Sequence, residues 1–121
     1  MEKEMKLLSN GLITQKYTNV YHEKDFSFNA PHLFTVNRVE DGEELARVAF
    51  QYGPIKEVGV NGVNNEDLIA MVIRRLEGFQ NSDFACKENE KAIEKLQESL
   101  MWLRKRTMDR EARNVEGTSA V

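Results

Sequence analysis

The sequence predicts an α+β fold: a small N-terminal antiparallel sheet followed by a C-terminal antiparallel helical hairpin with one long helix. In the first half, apolar and polar residues alternate around an Asp-Gly pair, as in strands. In the second half, apolar residues recur at spacings of three and four, as in amphipathic helices. We expect a single domain over 1–121, with a β-rich subregion at 1–60, the hairpin at 61–113 and a flexible tail at 114–121.

The strand signals differ in strength along the first half of the chain. Residues 17–21 and 26–28 form short alternating stretches that are compatible with strands. The stronger signal is a pair of β-rich runs, 33–39 and 46–52, on either side of the link Glu40-Asp41-Gly42-Glu43. Asp-Gly is a strong hairpin-turn signal. We therefore predict a β-hairpin here, in a sheet of three or four antiparallel strands.

Two segments near this hairpin are less well defined. Leu45 and Ala46 could also begin a short helix. Gly53-Pro54 breaks the second run. The three valines that follow predict one more short strand or an extended segment: Val58, Val60 and Val63.

A first amphipathic helix follows these segments. Asn64 or Asn65 can cap its start, and Gly78 is expected to end it. Residues 79–82 would then form a short connector to a second helix. Two helices joined by four or five residues make an antiparallel hairpin.

The second helix, predicted at 83–113 with Ser82 or Asp83 as its cap, carries one continuous apolar stripe. The members of the stripe recur at spacings of three and four: Ala92, Ile93, Leu96, Leu100, Leu103 and Thr107. A helix of about thirty residues is roughly 45 Å long, well beyond the diameter of a compact domain of this size. We therefore expect part of the stripe to pack against another copy of the chain.

The charge distribution favours a small anionic ligand over a long nucleic acid or a membrane. The formal net charge is -3 and the pI is about 5.5. Residues 99–113, however, hold five Lys or Arg against two Asp or Glu. Cys86 is the only cysteine, which excludes a disulfide framework and suits a reducing cytosol. No secretory or membrane-spanning segment is expected.

The leading candidate site is an arginine face late in the long helix. Arg106, Arg110 and Arg113 lie at i, i+4 and i+7, where guanidinium groups can grip phosphates, although such a face can also be only solvated surface. Phe79 could offer an aromatic plate on the connector, or could pack back on its own helix. Asn89 could be an ordinary surface residue, or its side-chain amide could form hydrogen bonds with a base edge or a ribose hydroxyl.

The sequence predicts no catalytic residue, no metal site and no cofactor. His22 and His32 are far apart in sequence and have no metal-ligand spacing. Cys86 would lie in the first turn of the long helix without a histidine beside it, and a small buried hydrophobic role suits it better. The glycines of 58–66, VGVNGVNNE, match no dinucleotide fingerprint.

The second half resembles the phage anti-Thoeris sponge proteins, whose helical hairpin is shared with the anti-CBASS cyclic-nucleotide sponges. The resemblance covers about residues 53–118, in the runs GPIKEVGVNGVNNEDLIAMVIRRLEGFQ and ACKENEKAIEKLQESLMWLRKRTMDREARNVEGT. Its most specific parts are the FQ connector, the ENE beginning and the RxxxR with VEGT ending. The β-rich first half fits the anti-Thoeris branch better than the shorter, wholly helical anti-CBASS branch.

The resemblance implies a non-enzymatic sponge in the host bacterial cytoplasm. Such proteins bind the cyclic ADP-ribose isomer made by a bacterial TIR-domain defence enzyme and hold it uncleaved, and some also bind cyclic oligonucleotides at separate sites. The implied assembly is a dimer or a higher oligomer such as a hexamer.

The resemblance also implies roles for four residues. Phe79 corresponds to the aromatic residue that stacks on a base, and Asn89 to the polar residue that recognises the ligand. Arg106 and Arg110 correspond to the pair that binds the phosphates. Arg113 is added to this set from helix spacing alone. The alternatives are a phosphodiesterase that cleaves the same signal, which needs a metal or a base-nucleophile pair, and a structural phage oligomerisation module.

Overall fold

A computed structural model describes residues 3–121 of the chain and has the predicted α+β architecture. The chain divides into two compact units, Met1–Val63 and Asn64–Val121. The first unit contains the sheet and the second contains the helical hairpin. No helix in the described range is both long enough and apolar enough to cross a membrane.

The first unit is a four-stranded antiparallel sheet with the strands in chain order. The strands are β1 (Met5–Leu7), β2 (Thr18–Glu23), β3 (Leu33–Arg38) and β4 (Glu44–Ala49). The predicted hairpin is confirmed as β3 and β4, with Gly42 at φ 75° in the turn. Leu45 and Ala46 lie in β4, so the alternative of a short helix there is wrong.

Other details of the first unit differ from the prediction or add to it. Residues 26–28 are not a strand, because Phe28 and Asn29 adopt φ of 54° and 76°, far from the negative φ that a strand requires. Val58 ends a one-turn helix, α1 (Ile55–Val58), that follows Pro54. Val63 makes an isolated parallel bridge with Phe50. The short strand β1 carried too few alternating residues to be predicted.

Glu23 joins the ends of two strands of the sheet. Its side chain is 1% exposed, yet it is an acid. Both carboxylate oxygens accept hydrogen bonds of 3.1 to 3.3 Å from the backbone N–H groups of His32 and Leu33. These bonds replace the water that burial removes, which is the condition under which a buried polar group is tolerated. Glu23 thereby connects the end of β2 to the start of β3.

The second unit contains α2 (Asn65–Gln80) and α3 (Lys87–Ala112). Asn64 caps α2 through a reciprocal capping box with Asp67, as one of the two predicted caps. Gly78 does not end this helix, which runs on to Gln80. Glycine lowers helix stability by only about 1 kcal/mol, so two further residues can continue the helix.

The start of α3 is also later than predicted. Ser82 does not cap α3; its hydroxyl donates to the Phe79 carbonyl and accepts from the Phe84 N–H, which closes a separate turn. The Gln80 side chain then donates to the Cys86 carbonyl and accepts from the Cys86 N–H, at 3.0 and 2.9 Å. Cys86 is therefore the N-cap residue of α3 rather than part of its first turn, and it is exposed rather than buried.

The two helices pack through their apolar faces. Ile73 of α2 is 9% exposed, and each residue of the predicted α3 stripe is half-buried. The helices contain 16 and 26 residues, so α3 extends past α2 by roughly 15 Å. The end of α3 that lacks α2 beside it is the end that carries the arginine face.

Gly62 gives a test of how tightly the first unit is packed. A Cβ atom at this position would lie 2.4 Å from the carbonyl carbon of Phe50, which is backbone and cannot move aside. We predict that Gly62→Ala lowers the free energy of unfolding by about 1 to 3 kcal/mol, as overpacking does. Gly78→Ala, inside α2 with nothing within 4 Å, should instead raise it by about 0.5 to 1 kcal/mol. Urea denaturation measures both, and a Gly62→Ala protein as stable as the wild type would contradict the packing described here.

Candidate functional site

The three predicted arginines line one groove at the end of α3. The groove has a volume of about 380 Å³ and lies within the second unit. It is lined by Trp102, Lys105, Arg106, Asp109, Arg110, Arg113 and Val121. The helical spacing that suggested a common face is thus confirmed by a common concave surface, although the spacing did not show that Trp102 or the chain's last residue would line it.

The groove is strongly cationic. Four of its side chains are lysine or arginine, and Asp109 supplies the single carboxylate side chain among them. Lys105 pairs with Asp109 at 3.1 Å, which neutralises that carboxylate. An anionic ligand would therefore meet an excess of positive charge, and an arginine-rich surface suits phosphate oxygens because guanidinium groups bind them in bidentate geometry.

Arg110 is already engaged by the chain itself. One nitrogen of its guanidinium lies 2.9 to 3.2 Å from the carbonyl oxygens of Val115, Thr118 and Ala120. Arg113 donates to the main-chain oxygen of Val121 at 3.3 Å. Residues 114–121, predicted as a flexible tail, thus turn back and supply acceptors to two of the three arginines.

Arg106 differs from both of its neighbours. It is exposed, and within residues 3–121 its guanidinium has no ion-pair or hydrogen-bond partner. Arg104, two residues earlier, pairs with Glu111 at 3.3 Å. Arg106 is therefore the arginine of the groove that can take an anion without first releasing another partner.

Phe79 lies on the last turn of α2 rather than on a connector loop. Its ring is 37% exposed, and the guanidinium carbon of Arg75 lies 5.2 Å from the ring centroid. Through this cation-π contact Arg75, one helical turn earlier, packs against the Phe79 ring. Phe79 thus keeps an accessible aromatic surface, as the stacking hypothesis needs, although its place in the fold was predicted wrongly.

Asn89 lies on the first turn of α3 and is half-buried. It therefore belongs to the connected end of the hairpin, as Phe79 does. Asn89 and Arg106 are seventeen residues apart on one unbroken helix, which places their backbones roughly 25 Å apart. The structure brings the three arginines together in one region and places Phe79 and Asn89 at the other end of the hairpin.

A second groove, of about 390 Å³, lies on the sheet of the first unit. It is lined in part by Tyr21, Thr35, Asn37, Glu44 and Arg47. Arg47 donates hydrogen bonds of 2.8 and 3.2 Å to Glu44, and these bonds hold the pKa of the Glu44 carboxyl below its usual value. The Arg47 charge here is therefore balanced by a carboxylate, unlike that of Arg106 in the α3 groove.

Comparison with known proteins agrees with this architecture. Residues 42–108 match the family model described as "Acb2/Tad1, hairpin domain". The match covers more than half of the chain, from the β3–β4 turn through most of α3. The chain belongs to the Acb2/Tad1 hairpin family. Phe79, Asn89 and Arg106 lie inside the matched range, and Arg110 and Arg113 lie just beyond it.

A relative in this family extends the similarity to almost the whole chain. The protein named Thoeris anti-defense 1, from Bacillus phage SBSphiJ7, is 48% identical over an alignment of 139 positions. The alignment covers 94% of this chain and 98% of the relative. The sequence resemblance is thus confirmed at the level of the family and extends through the N-terminal sheet.

Arg75 and Trp102 are among the residues of the candidate site that sequence reasoning missed. Arg75 precedes Phe79 by four residues, and Trp102 precedes Arg106 by four. Residues four apart on a helix are neighbours on its surface, so the spacing itself was the available signal. Neither residue was predicted, because Phe79 and the arginines were each assigned without the neighbour one helical turn earlier.

The contacts of Arg110 predict that this residue orders the end of the chain. We expect Arg110→Ala to release residues 118–121, because three carbonyl oxygens lose their common donor. NMR relaxation should then give backbone order parameters below about 0.6 in this segment. Arg106→Ala is the matched control and should leave the segment as ordered as in the wild type. A tail that keeps its order in the Arg110→Ala protein would show that other contacts hold it.

Proposed function

We propose that this protein binds and sequesters a cyclic ADP-ribose isomer, or a related cyclic nucleotide, without cleaving it. In the cytoplasm of an infected bacterium this would deprive a TIR-based Thoeris defence of its signal. The family and the name of the 48% identical relative support an anti-defence role. The chemistry of the α3 groove supports an anionic nucleotide as the ligand.

The observation that carries the proposal is the unpaired guanidinium of Arg106 in a cationic groove. Arg110 lies one helical turn further along, so the two groups can hold neighbouring phosphate oxygens of a pyrophosphate. Arg110 would exchange its carbonyl partners for phosphate, which forms stronger charge-assisted hydrogen bonds. Arg113 extends the same positive surface.

The other end of the hairpin supplies groups that suit the base and the ribose. Phe79 offers a partly exposed ring on which a base can stack, which contributes about 1 to 3 kcal/mol per base. Asn89 offers an amide that can donate to and accept from a base edge or a ribose hydroxyl. In this proposal Phe79 and Asn89 recognise the nucleoside, and the arginines bind the phosphates.

One protomer cannot bring both ends to one ligand. Asn89 and Arg106 are roughly 25 Å apart along α3, and Arg110 is roughly 30 Å from Asn89. A cyclic ADP-ribose isomer is too small to bridge that distance. Two chains with antiparallel α3 helices around a two-fold axis solve this, because each pair then forms two equivalent sites from opposite helix ends.

The exposed surface of the chain supports assembly. The chain exposes 9340 Å². A compact protein of 14.0 kDa exposes roughly 6700 Å², and two separate compact proteins of half that mass would together expose roughly 8100 Å². On α3, Met101 and Met108 are 71% and 53% exposed. We propose a homo-oligomer, either this dimer or a higher assembly such as a hexamer built from it.

A capture-and-release experiment tests the function. The protein is incubated with cyclic ADP-ribose isomers made by a TIR-domain enzyme, free ligand is removed by filtration, and the retained protein is heat-denatured. Recovery of intact ligand supports sequestration. Recovery of a hydrolysed product would support a phosphodiesterase instead, and no depletion of ligand would leave only a structural module.

Arg106→Ala should abolish capture while leaving the fold intact. Losing a charged contact that the ligand would bury costs about 2 to 5 kcal/mol, and Arg106 has no partner among residues 3–121 to lose. Arg104→Ala is the matched control, because this arginine lies on the same helix but pairs with Glu111. Calorimetry measures both affinities, and an equal effect of the two substitutions would remove Arg106 from the pair that binds the phosphates.

Mixed oligomers test whether two protomers share each site. When Phe79→Ala and Arg106→Ala chains are denatured and refolded together, a shared site predicts about a quarter of the wild-type number of sites, since each heterodimer has one intact site. Phe79→Ala mixed with Asn89→Ala is the control, because these residues lie at the same helix end and no heterodimer then has an intact site. Equal capture by the two mixtures would contradict the shared site.

A further inference from the structure

Trp102 is the single tryptophan of the chain, and it is 65% exposed on α3. Tryptophan is on average a highly buried residue, because it has one of the largest apolar surfaces. Its position is also specific, since it forms one wall of the arginine groove. A large exposed aromatic ring in a cationic groove requires an explanation beyond the packing of the hairpin.

Trp102 and Arg106 are neighbours on the helix surface, four residues apart. Within residues 3–121, the indole has no ring contact, no cation over its face and no hydrogen bond from its N–H group. The guanidinium of Arg106 has no partner there either. The groove therefore places an uncovered aromatic plate beside an uncovered cation.

These two groups match two parts of one kind of ligand. An aromatic face stacks on a nucleobase, and a guanidinium binds a phosphate through charge-assisted hydrogen bonds. The indole N–H can in addition donate to a ribose or phosphate oxygen. A volume of about 380 Å³ is within the range of small-molecule sites. A purine nucleotide satisfies all of these features, whereas inorganic phosphate or pyrophosphate would leave the indole unused.

We infer that Trp102 is a second stacking residue of the ligand site. The inference rests on the proposed function and deepens it. A base has two faces, and the arrangement that brings Phe79 of one chain to Arg106 of another also brings it near Trp102, one helical turn away. The base is then held between two aromatic rings, and the purine ring becomes a determinant of specificity together with the phosphates.

Because Trp102 is the single tryptophan, its fluorescence reports directly on this contact. Titrating the wild-type protein with a cyclic ADP-ribose isomer should quench the emission along the same curve that calorimetry gives for binding. Inorganic pyrophosphate should leave the emission unchanged. Binding of the nucleotide by calorimetry without any change in the tryptophan emission would overturn the inference.

Substitutions separate stacking from simple apolar packing. Trp102→Leu keeps an apolar side chain but removes the aromatic plate, and should weaken binding roughly 10- to 100-fold, the usual range for one stacked base. Trp102→Phe should stay close to the wild-type affinity. Met71→Ala is the matched control, since it removes an exposed apolar side chain on α2, which does not line the arginine groove. Light scattering on each variant reports the oligomer.

The outcomes distinguish this inference from the function on which it rests. Weaker binding by Trp102→Leu in an oligomer of wild-type mass, with Trp102→Phe and Met71→Ala unchanged, supports the stacking role. Two results would overturn the stacking role of Trp102 and leave the proposed function standing. One is wild-type affinity of the Trp102→Leu protein. The other is a loss of binding that accompanies a loss of the oligomer in both Trp102→Leu and Trp102→Phe. Failure of the wild-type protein to bind any cyclic nucleotide overturns the proposed function and the inference together.

Discussion

The length difference between the two helices is the constraint on which the functional features of the second unit depend. Because α2 has 16 residues and α3 has 26, and because Gln80 and Cys86 close a short connector, the end of α2 lies beside the start of α3, and α3 extends beyond the start of α2. The free part of α3 presents Trp102 and the arginines without a neighbouring helix from α2. The same continuity keeps Asn89 roughly 25 Å from Arg106, since an unbroken helix is rigid on this scale.

Under the proposed function, this separation links assembly to ligand binding. The proposed site is divided between the two ends of a rigid helix and would be completed by a second copy placed in the opposite direction. The large accessible surface and the exposed apolar residues on α3 favour the same solution, since burying apolar area against a partner is the main source of association energy. The assembly that stabilises the chain would then also complete its sites.

The arginines show how one residue type acquires different roles within two helical turns. Among the described residues Arg106 has no ion-pair or hydrogen-bond partner, whereas Arg104 is neutralised by Glu111 and Arg110 binds the carbonyl oxygens of the following segment. Spacing alone gives all of these side chains similar weight as phosphate ligands. Their hydrogen-bond and ion-pair partners distinguish them, and the partners of Arg110 depend on how residues 114–121 turn back, which helical periodicity does not encode.

Much of the fold was predictable because it depends on local rules. The β3–β4 hairpin follows from alternation around Asp41-Gly42, and the α3 stripe follows from the helical period, since both patterns are repeated over many residues. The errors lie where one side chain or one backbone angle decides the outcome. The positive φ at Phe28 excluded a strand, and the hydroxyl of Ser82 closed a turn where a helix cap was expected.

The sequence by itself determined the fold class, the family and the identity of the arginine face, because apolar periodicity and residue spacing are properties of the chain in one dimension. Only the tertiary structure decided that Phe79 is helical and contacts Arg75, that Trp102 lines the arginine groove, and that Arg106 is the cation of that groove without a partner in residues 3–121. The physical reason is that accessibility and pairing depend on which distant groups fold back onto a side chain, and this is settled by packing and hydrogen bonding in three dimensions.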